Sequence, residues 1–412
     1  MPSKPSESAP SGDTETRGKG LSRRSEFALA TITGATVANA YYIHPIIAEI
    51  GTDFQVSAAR IGLVPAANQI ALALGIFLLL PLGDRYSARS LSLILSAAQA
   101  ASLLLMAAAE GFITFLAGST LLGFFTIVPY LMPSYASKRV PADKLGSVTA
   151  TLTAGIIVGI LIARVGAGIV AEYFDWRLVY WIAGAIMIAT TLAVPLFLEP
   201  RRKQSGATEQ RQPYFALVAS TLTLMREYPL VIRSGIIQAL NFGIFLSVWL
   251  ALAFHLTSDR MGYGTDTVGY LAAISIVSVF VTPALGRWSD RIGPYRARFW
   301  LSVAQASGIA LLWPMGDSLW LLLVPLSIMN MAGPAIDVAG RMTFLSLDPD
   351  IRTRLMTGYI ILMFIGAGIA SWAAPVSYEW GGWGGTAMLV ASMSLGIVAL
   401  SWRGMREADQ VD

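Results

Sequence analysis

Between about residues 57 and 82 the sequence is one apolar run, and a second follows from about 90 to 109. Each is long enough to cross a bilayer, for which a helix needs about 20 residues. In hydrocarbon every backbone N–H and C=O must be satisfied within the fold, which leaves helices or closed barrels. Barrel strands alternate in and out over short segments, whereas these runs are continuous, so helices are expected. Composition agrees: 55% of the 412 residues are hydrophobic, 13% are charged, and the mean hydropathy is +0.61. A soluble domain carries about 25% charged residues. The predicted class is an all-α integral membrane protein.

Twelve spans are predicted, at about 26–50, 57–82, 90–109, 112–134, 145–170, 177–197, 230–256, 266–285, 297–316, 318–340, 353–376 and 380–402. Very short connections around Glu110-Gly111 and Asp317 force antiparallel neighbours. Of the 29 Lys and Arg residues, 25 fall on the side of the N-terminus. Three (Arg60, Arg177, Arg260) fall on the other side, and Arg164 lies inside a span. Basic loops stay in the cytoplasm, so both termini are expected there, in a multi-pass protein of the inner (cytoplasmic) membrane.

Residues 1–25, rich in Ser, Pro, Gly, Thr and charge, are expected to be a disordered cytoplasmic tail. Residues 26–197 form a first six-helix half, 198–229 a cytoplasmic linker, 230–402 a second half and 403–412 a tail. Within the linker, Tyr214 to Tyr228 has apolar residues near helical spacing. It is read either as a helix on the membrane surface or as a plain connection.

The two halves are copies. Pro81-Leu82-Gly83-Asp84-Arg85-Tyr86-Ser87-Ala88-Arg89 finds its counterpart in Gly286-Arg287-Trp288-Ser289-Asp290-Arg291-Ile292-Gly293, with Asp290 placed 206 residues after Asp84. The offset continues: Leu95-Ser96-Ala97-Ala98-Gln99-Ala100 is matched by Leu301-Ser302-Val303-Ala304-Gln305-Ala306. Pro141-Ala142-Asp143-Lys144 is echoed by Pro349-Asp350-Ile351-Arg352, 208 residues on. Six spans per copy in one orientation relate the halves by an axis along the membrane normal.

These residues resemble the major facilitator superfamily over about 26–405. That family's loop between helices 2 and 3 reads roughly G-x-x-x-D-R-x-G-R-R. The second copy keeps Gly286, Asp290, Arg291 and Gly293; the first keeps Asp84, Arg85 and Arg89, with Leu80 and Ser87 at the glycine positions. Within the superfamily the chain is similar to the bacterial drug- and sugar-efflux branch that includes arabinose-efflux-like and purine-nucleoside-efflux-like proteins. The similarity lies in Asn39-Ala40-Tyr41-Tyr42-Ile43-His44-Pro45, Gly159-Ile160-Leu161-Ile162-Ala163-Arg164, Trp176-Arg177-Leu178-Val179-Tyr180-Trp181 and Leu347-Asp348-Pro349. Two positions depart from the branch: His44 replaces its usual Gln, and Ile160 the usual Pro of the helix 5 antiporter motif.

Several residues are candidates for the mechanism. The resemblance implies that the charged loops (Asp84, Arg85, Arg89, Gly286, Asp290, Arg291) latch the cytoplasmic ends of the halves; the bland alternative is a pair of solvated basic turns. Ionisable groups inside spans are functional candidates by default. Arg164 either snorkels outward past Glu172 or stands in a cavity, binding an anionic substrate group or tuning a proton carrier. His44 titrates near neutrality and is read as a coupling group or as a packed neutral side chain; Pro45 beside it leaves the Tyr41 carbonyl without its helical donor. Asp337 is a coupling carboxylate or a structural partner of Arg341, four residues on along one helix face.

The resemblance further implies a central cavity lined by helices 1, 4, 7 and 10. Asn39, Tyr42, Phe124, Phe125, Tyr130, Gln238, Asn241, Phe245, Trp249 and Asn330 are its candidate lining, with ordinary interhelical packing as the alternative for each. An amphipathic aromatic cavity suits small organic molecules. Small residues of span 5 (Gly155, Gly159, Ala163, Gly166, Gly168) and span 11 (Gly358, Gly366, Gly368) are expected to form the rocking interface between halves.

The expected function is a secondary transporter exporting a small organic solute, drug-, sugar- or nucleoside-like, in exchange for protons, with a proton-coupled or facilitated importer as the alternative. No G-x-x-x-x-G-K-[ST] sequence supports ATP-driven transport. The chain has no cysteine and two histidines, His44 and His255, neither in a catalytic constellation, so no enzyme activity is expected. The expected partners are the solute, the proton and the lipid bilayer. No cofactor, metal or nucleic acid is expected, and the chain is expected to act as a monomer.

Overall fold

The computed structural model describes residues 22–200, 214–345 and 351–410. The first tail, most of the linker's basic end and the Leu347-Asp348-Pro349 segment lie outside the described residues, as does the Asp84 side chain. The described residues are almost wholly helical and contain no strand. In chain order the helices are α1 (Arg23–Ala38), α2 (Ile43–Asp53), α3 (Ala58–Ile61), α4 (Leu63–Leu79), α5 (Ala88–Ala107), α6 (Phe112–Phe125), α7 (Val128–Ser137), α8 (Ala142–Tyr173) and α9 (Trp176–Phe197). There follow α10 (Tyr214–Glu227), α11 (Pro229–Leu256), α12 (Thr265–Leu271), α13 (Val277–Ile292), α14 (Pro294–Ala310), α15 (Leu319–Leu345) and α16 (Arg352–Asp409). Among the described residues nine helical stretches are long and apolar enough to cross a membrane, several of them joining neighbouring helices. The last of these, α16, is interrupted by non-helical backbone at Gly381 and Gly382, where Gly382 takes φ 54°.

The helix ends follow from local chemistry. Ser22, Ser57 and Ser87 cap α1, α3 and α5, each hydroxyl accepting the backbone N–H three residues on. Asp175 caps α9 by accepting from the Arg177 N–H at 2.6 Å. Gly293, at φ 87°, ends α13 just after Asp290-Arg291. Prolines account for two breaks inside the bundle. Pro45 cannot donate to the Tyr41 carbonyl, and the His44 N–H takes it in a tight turn (3.3 Å) that separates α1 from α2. Pro129 leaves the Phe125 carbonyl without its helical donor in the same way, between α6 and α7.

Large apolar side chains stand exposed along the bundle, among them Leu196, Phe280 and Trp380. A lipid-facing surface requires such exposure, and in water it would be costly. We call the end where Arg23 and Asp409 leave the bundle the near face, and the opposite end the far face. The halves meet closely at the far face. There α8 packs on Thr265–Ile276 of the other half, and the remainder of that segment, α13, stands away from α8 toward the near face. Across the near face lies α10: the Tyr214 hydroxyl donates to the Leu78 carbonyl of the first half, and Met225 fits against Gly358 of the second.

Both α8 and α16 lie against the other half, as expected, but their small residues divide their work between that seam and contacts inside each half. A Cβ on Gly34 would collide with the carbonyl of Gly155, and Gly159 abuts Gly34 in turn, so these glycines bring α1 and α8 together within one half. Gly366 does the same against Ala239. Gly168, against Thr265, and Gly368, against Ala66 and Ile70, face the other half, and Ala163 shares a buried cluster with Leu246 and Ala367 there. Helical phase is the reason, because positions four apart share a face and the stripe turns away from the seam.

Candidate functional site at the seam of the two halves

Arg164, on α8, is 2% exposed, and its Nη2 lies 2.9 Å from Nδ1 of His44, itself 1% exposed on α2. An arginine donates and never accepts, so Nδ1 must offer its lone pair. The neutral His44 therefore carries its proton on Nε2. Three rings surround the guanidinium: its carbon is 4.6 Å from the centroid of Trp249, 4.7 Å from Phe245 and 5.3 Å from Tyr41. Phe245 and Trp249 come from α11 in the second half; Tyr41 sits in the break that Pro45 creates. Desolvated cation–π contacts contribute about 2 kcal/mol.

These contacts leave much unsatisfied. Among the described residues no carboxylate pairs with Arg164. Its Nε and Nη1, the His44 Nε2 and the Trp249 Nε1 are all buried without a hydrogen-bond partner. An unpaired buried charge costs on the order of 3–5 kcal/mol, so the fold gives up stability to keep this group where it is. Arg164 does not snorkel toward Glu172. That carboxylate accepts from the Thr265 backbone N–H at 2.8 Å and from the Thr265 hydroxyl at 3.2 Å, across the seam.

The polar members of the expected cavity lining form two matching clamps. Asn39 Nδ2 donates to Gln99 Oε1 (2.8 Å), and Gln99 Nε2 donates to the Phe125 carbonyl that Pro129 deprives of its helical donor (3.0 Å). In the second half Gln305 Nε2 donates to Asn241 Oδ1 (2.8 Å), while Asn241 Nδ2 reaches the Gly333 carbonyl and Gln238 Oε1, each at 2.9 Å. Gln99 and Gln305 were not among the residues singled out from the sequence, although the repeated Leu-Ser-x-Ala-Gln-Ala already marked them as equivalent.

The other candidates are scattered. Asn330 accepts from the Ser275 hydroxyl at 3.0 Å. Tyr42, Phe124 and Tyr130 are half-buried, and the Tyr130 ring meets Phe364 of the other half edge-on at 6.1 Å. Asp337 holds Arg341 by two bonds (2.9 and 2.6 Å) and accepts from the Tyr359 hydroxyl at 2.6 Å. Of the charged loops, Arg85 lies 5.6 Å from the Tyr214 ring of α10, Arg89 is half-buried, and Asp290 and Arg291 are exposed beyond the half-buried Gly286.

A helical bundle of two like halves, apolar outside and with an uncompensated cation buried at the seam, defines a multi-pass membrane transporter. The chain belongs to the Major Facilitator Superfamily, whose model matches residues 29–346. It is 30% identical to "Probable transporter SCO4007" of Streptomyces coelicolor, over 98% of this chain and 96% of that protein. "Uncharacterized transporter YgaY" of Escherichia coli O157:H7 is 26% identical over 92% of this chain and 95% of its own length. "Multidrug resistance protein MdtG" of Escherichia fergusonii is 26% identical over 52% of this chain and 51% of that protein. Among solved structures, the nucleoside transporter NupG superposes with a TM-score of 0.70 at 15% identity, covering 92% of this chain and 98% of that one.

Proposed function

We propose that this transporter exports a small organic solute across the inner membrane in exchange for protons, by alternating access between its two halves. The twelve-span arrangement with both termini cytoplasmic, the boundaries of the halves at 26–197 and 230–402, and action as a monomer belong to the same reading. The Lys and Arg asymmetry of the loops supports the orientation. Similarity to a protein named for multidrug resistance supports outward flux.

The observation that carries the reading is the hydrogen bond between Arg164 and His44. A proton arriving on Nδ1 removes the lone pair to which the guanidinium donates, so protonation and the Arg164–His44 bond exclude one another. Phe245 and Trp249 belong to the opposite half, so freeing the guanidinium also changes what holds the halves together at the seam. A ligand or a proton that acts on one arrangement only shifts the balance between states. Asp337, engaged by Arg341 and Tyr359, serves the packing of α15 on α16 in this scheme. The two charged loops, with Asp84 and Asp290 at their centres, serve as near-face latches.

The test is solute flux in proteoliposomes containing the full chain. Export in exchange for protons requires an imposed pH gradient to drive solute uphill against the proton flow; solute that moves in the same direction as the protons identifies an importer instead.

A further inference from the structure

We infer that the solute carried at this seam bears an anionic oxygen group on an aromatic or apolar body, an inference that rests on the transport reading above. On Arg164 and the side chains that touch it, every polar atom that is fully buried without a partner is a donor. The guanidinium contributes Nε and Nη1, His44 contributes Nε2 by the tautomer its other nitrogen dictates, and Trp249 contributes Nε1. No carboxylate and no other side-chain acceptor among the described residues answers them. Four buried donors, two on the guanidinium and two on side chains beside it, with no fully buried acceptor left free among them, are complementary to an oxyanion, which only accepts. Arginine is the side chain best shaped to bind a carboxylate or phosphate by two parallel bonds.

The walls specify the remainder of the molecule. Phe245 stacks on Phe242 at 5.9 Å, and Trp249 stands at 6.4 Å from Phe245, so an aromatic row extends from the guanidinium along α11. A flat or apolar body lying on that row keeps its anionic end at Arg164. A cation is disfavoured there by the guanidinium, and a neutral amide leaves the charge uncompensated. Selection by charge is a difference between affinities, and here it is built from repulsion as well as attraction.

The test uses the full chain in lipid nanodiscs and sets of probes matched in shape. These are benzoate, benzamide and benzylamine; indole-3-acetate, indole-3-acetamide and tryptamine; and phenyl phosphate as a second oxyanion. Thermal stabilisation is read against concentration. The expected result is binding of the carboxylates or the phosphate at least tenfold tighter than their neutral and cationic counterparts. Arg164→Gln should abolish the preference among the three classes. Trp249→Phe, which keeps a ring but loses the N–H, should weaken the anions severalfold and the neutral probes less.

Equal or tighter binding of the amides or amines by the unmodified protein overturns the inference, and needs no variant to read. So does an anion preference that survives Arg164→Gln, or an anionic set that does not bind at all. A chain that moves neutral or cationic solutes against a pH gradient keeps the transport reading and loses this one. A chain that binds the anions but moves no solute across a bilayer does the reverse.

Discussion

Glu172 of the first half accepts the backbone N–H of Thr265 in the second at 2.8 Å, and Glu379 of the second half accepts that of Ala59 in the first at 2.7 Å. The carboxylates are 207 residues apart and the donors 206, so one arrangement is built twice by the internal repeat. Each carboxylate sits at the first turn of a helix in the opposite half, where free N–H groups and the helix dipole favour negative charge. Both clasps lie on the far face. Together with Gly62 against Pro375 and Gly168 against Thr265, they close that side of the bundle.

The clasps must break if the far face opens. Charged hydrogen bonds contribute about 1.5–3 kcal/mol each, less where water competes, as it does at both exposed carboxylates. The double variant Glu172→Gln, Glu379→Gln should therefore shift the population several-fold toward a far-face-open state. The chain contains no cysteine, so Thr52→Cys and Asp259→Cys place two clean spin labels on exposed far-face sites. A longer, broader distance distribution in the double variant is expected, and an unchanged distribution would remove the clasps from gating.

The matching amide clamps predict matching losses. Gln99→Leu strands the Asn39 amide and takes a donor from the Phe125 carbonyl, and Gln305→Leu takes the donor from Asn241. Leaving a buried polar group unpaired costs about 1–3 kcal/mol, so both variants should unfold at lower temperature by similar amounts. A loss in one half only would mean that the clamps are not equivalent.

Asp337→Asn separates a structural pair from a coupling carboxylate. The substitution keeps the shape but takes the charge from Arg341, so it should cost about 1–3 kcal/mol of stability and leave the pH dependence of transport in place. A flattened pH profile with unchanged stability would instead make Asp337 the coupling group.

His44→Gln tests the proton's route. A glutamine can accept from Arg164 through its side-chain oxygen but cannot take up a proton in the physiological range. Solute binding should persist while the pH dependence of flux is lost. A profile like that of the unmodified protein would rule His44 out.

Much of this was legible in the sequence, for identifiable reasons. Two copies of an Asp-Arg turn in the same place of two apolar halves implied the duplicated bundle. Pro45 implied the break beside Tyr41. Arg164 and His44 stood out because ionisable groups are scarce inside spans, but their mutual bond joins residues 120 apart and has no local signature. Glu172 and Glu379 resembled solvated span ends, since their partners are backbone N–H groups 93 and 320 residues away. Gln99 and Gln305 lie inside the repeated Leu-Ser-x-Ala-Gln-Ala, and a glutamine recurring at one depth in both halves is the one local mark of the clamps. The small-residue stripes marked the two helices that meet the other half but not which glycine meets which neighbour, because spacing identifies a face without identifying the helix that it meets.

The most direct measurement is counterflow of a transported solute in proteoliposomes, with a pH gradient imposed and then collapsed, for the unmodified chain and for His44→Gln. The unmodified chain should accumulate solute against the proton flow and lose the accumulation when the gradient is collapsed, while His44→Gln should equilibrate solute without responding to the gradient. Solute movement in the unmodified chain that is the same with and without the gradient would contradict proton exchange at the Arg164–His44 pair.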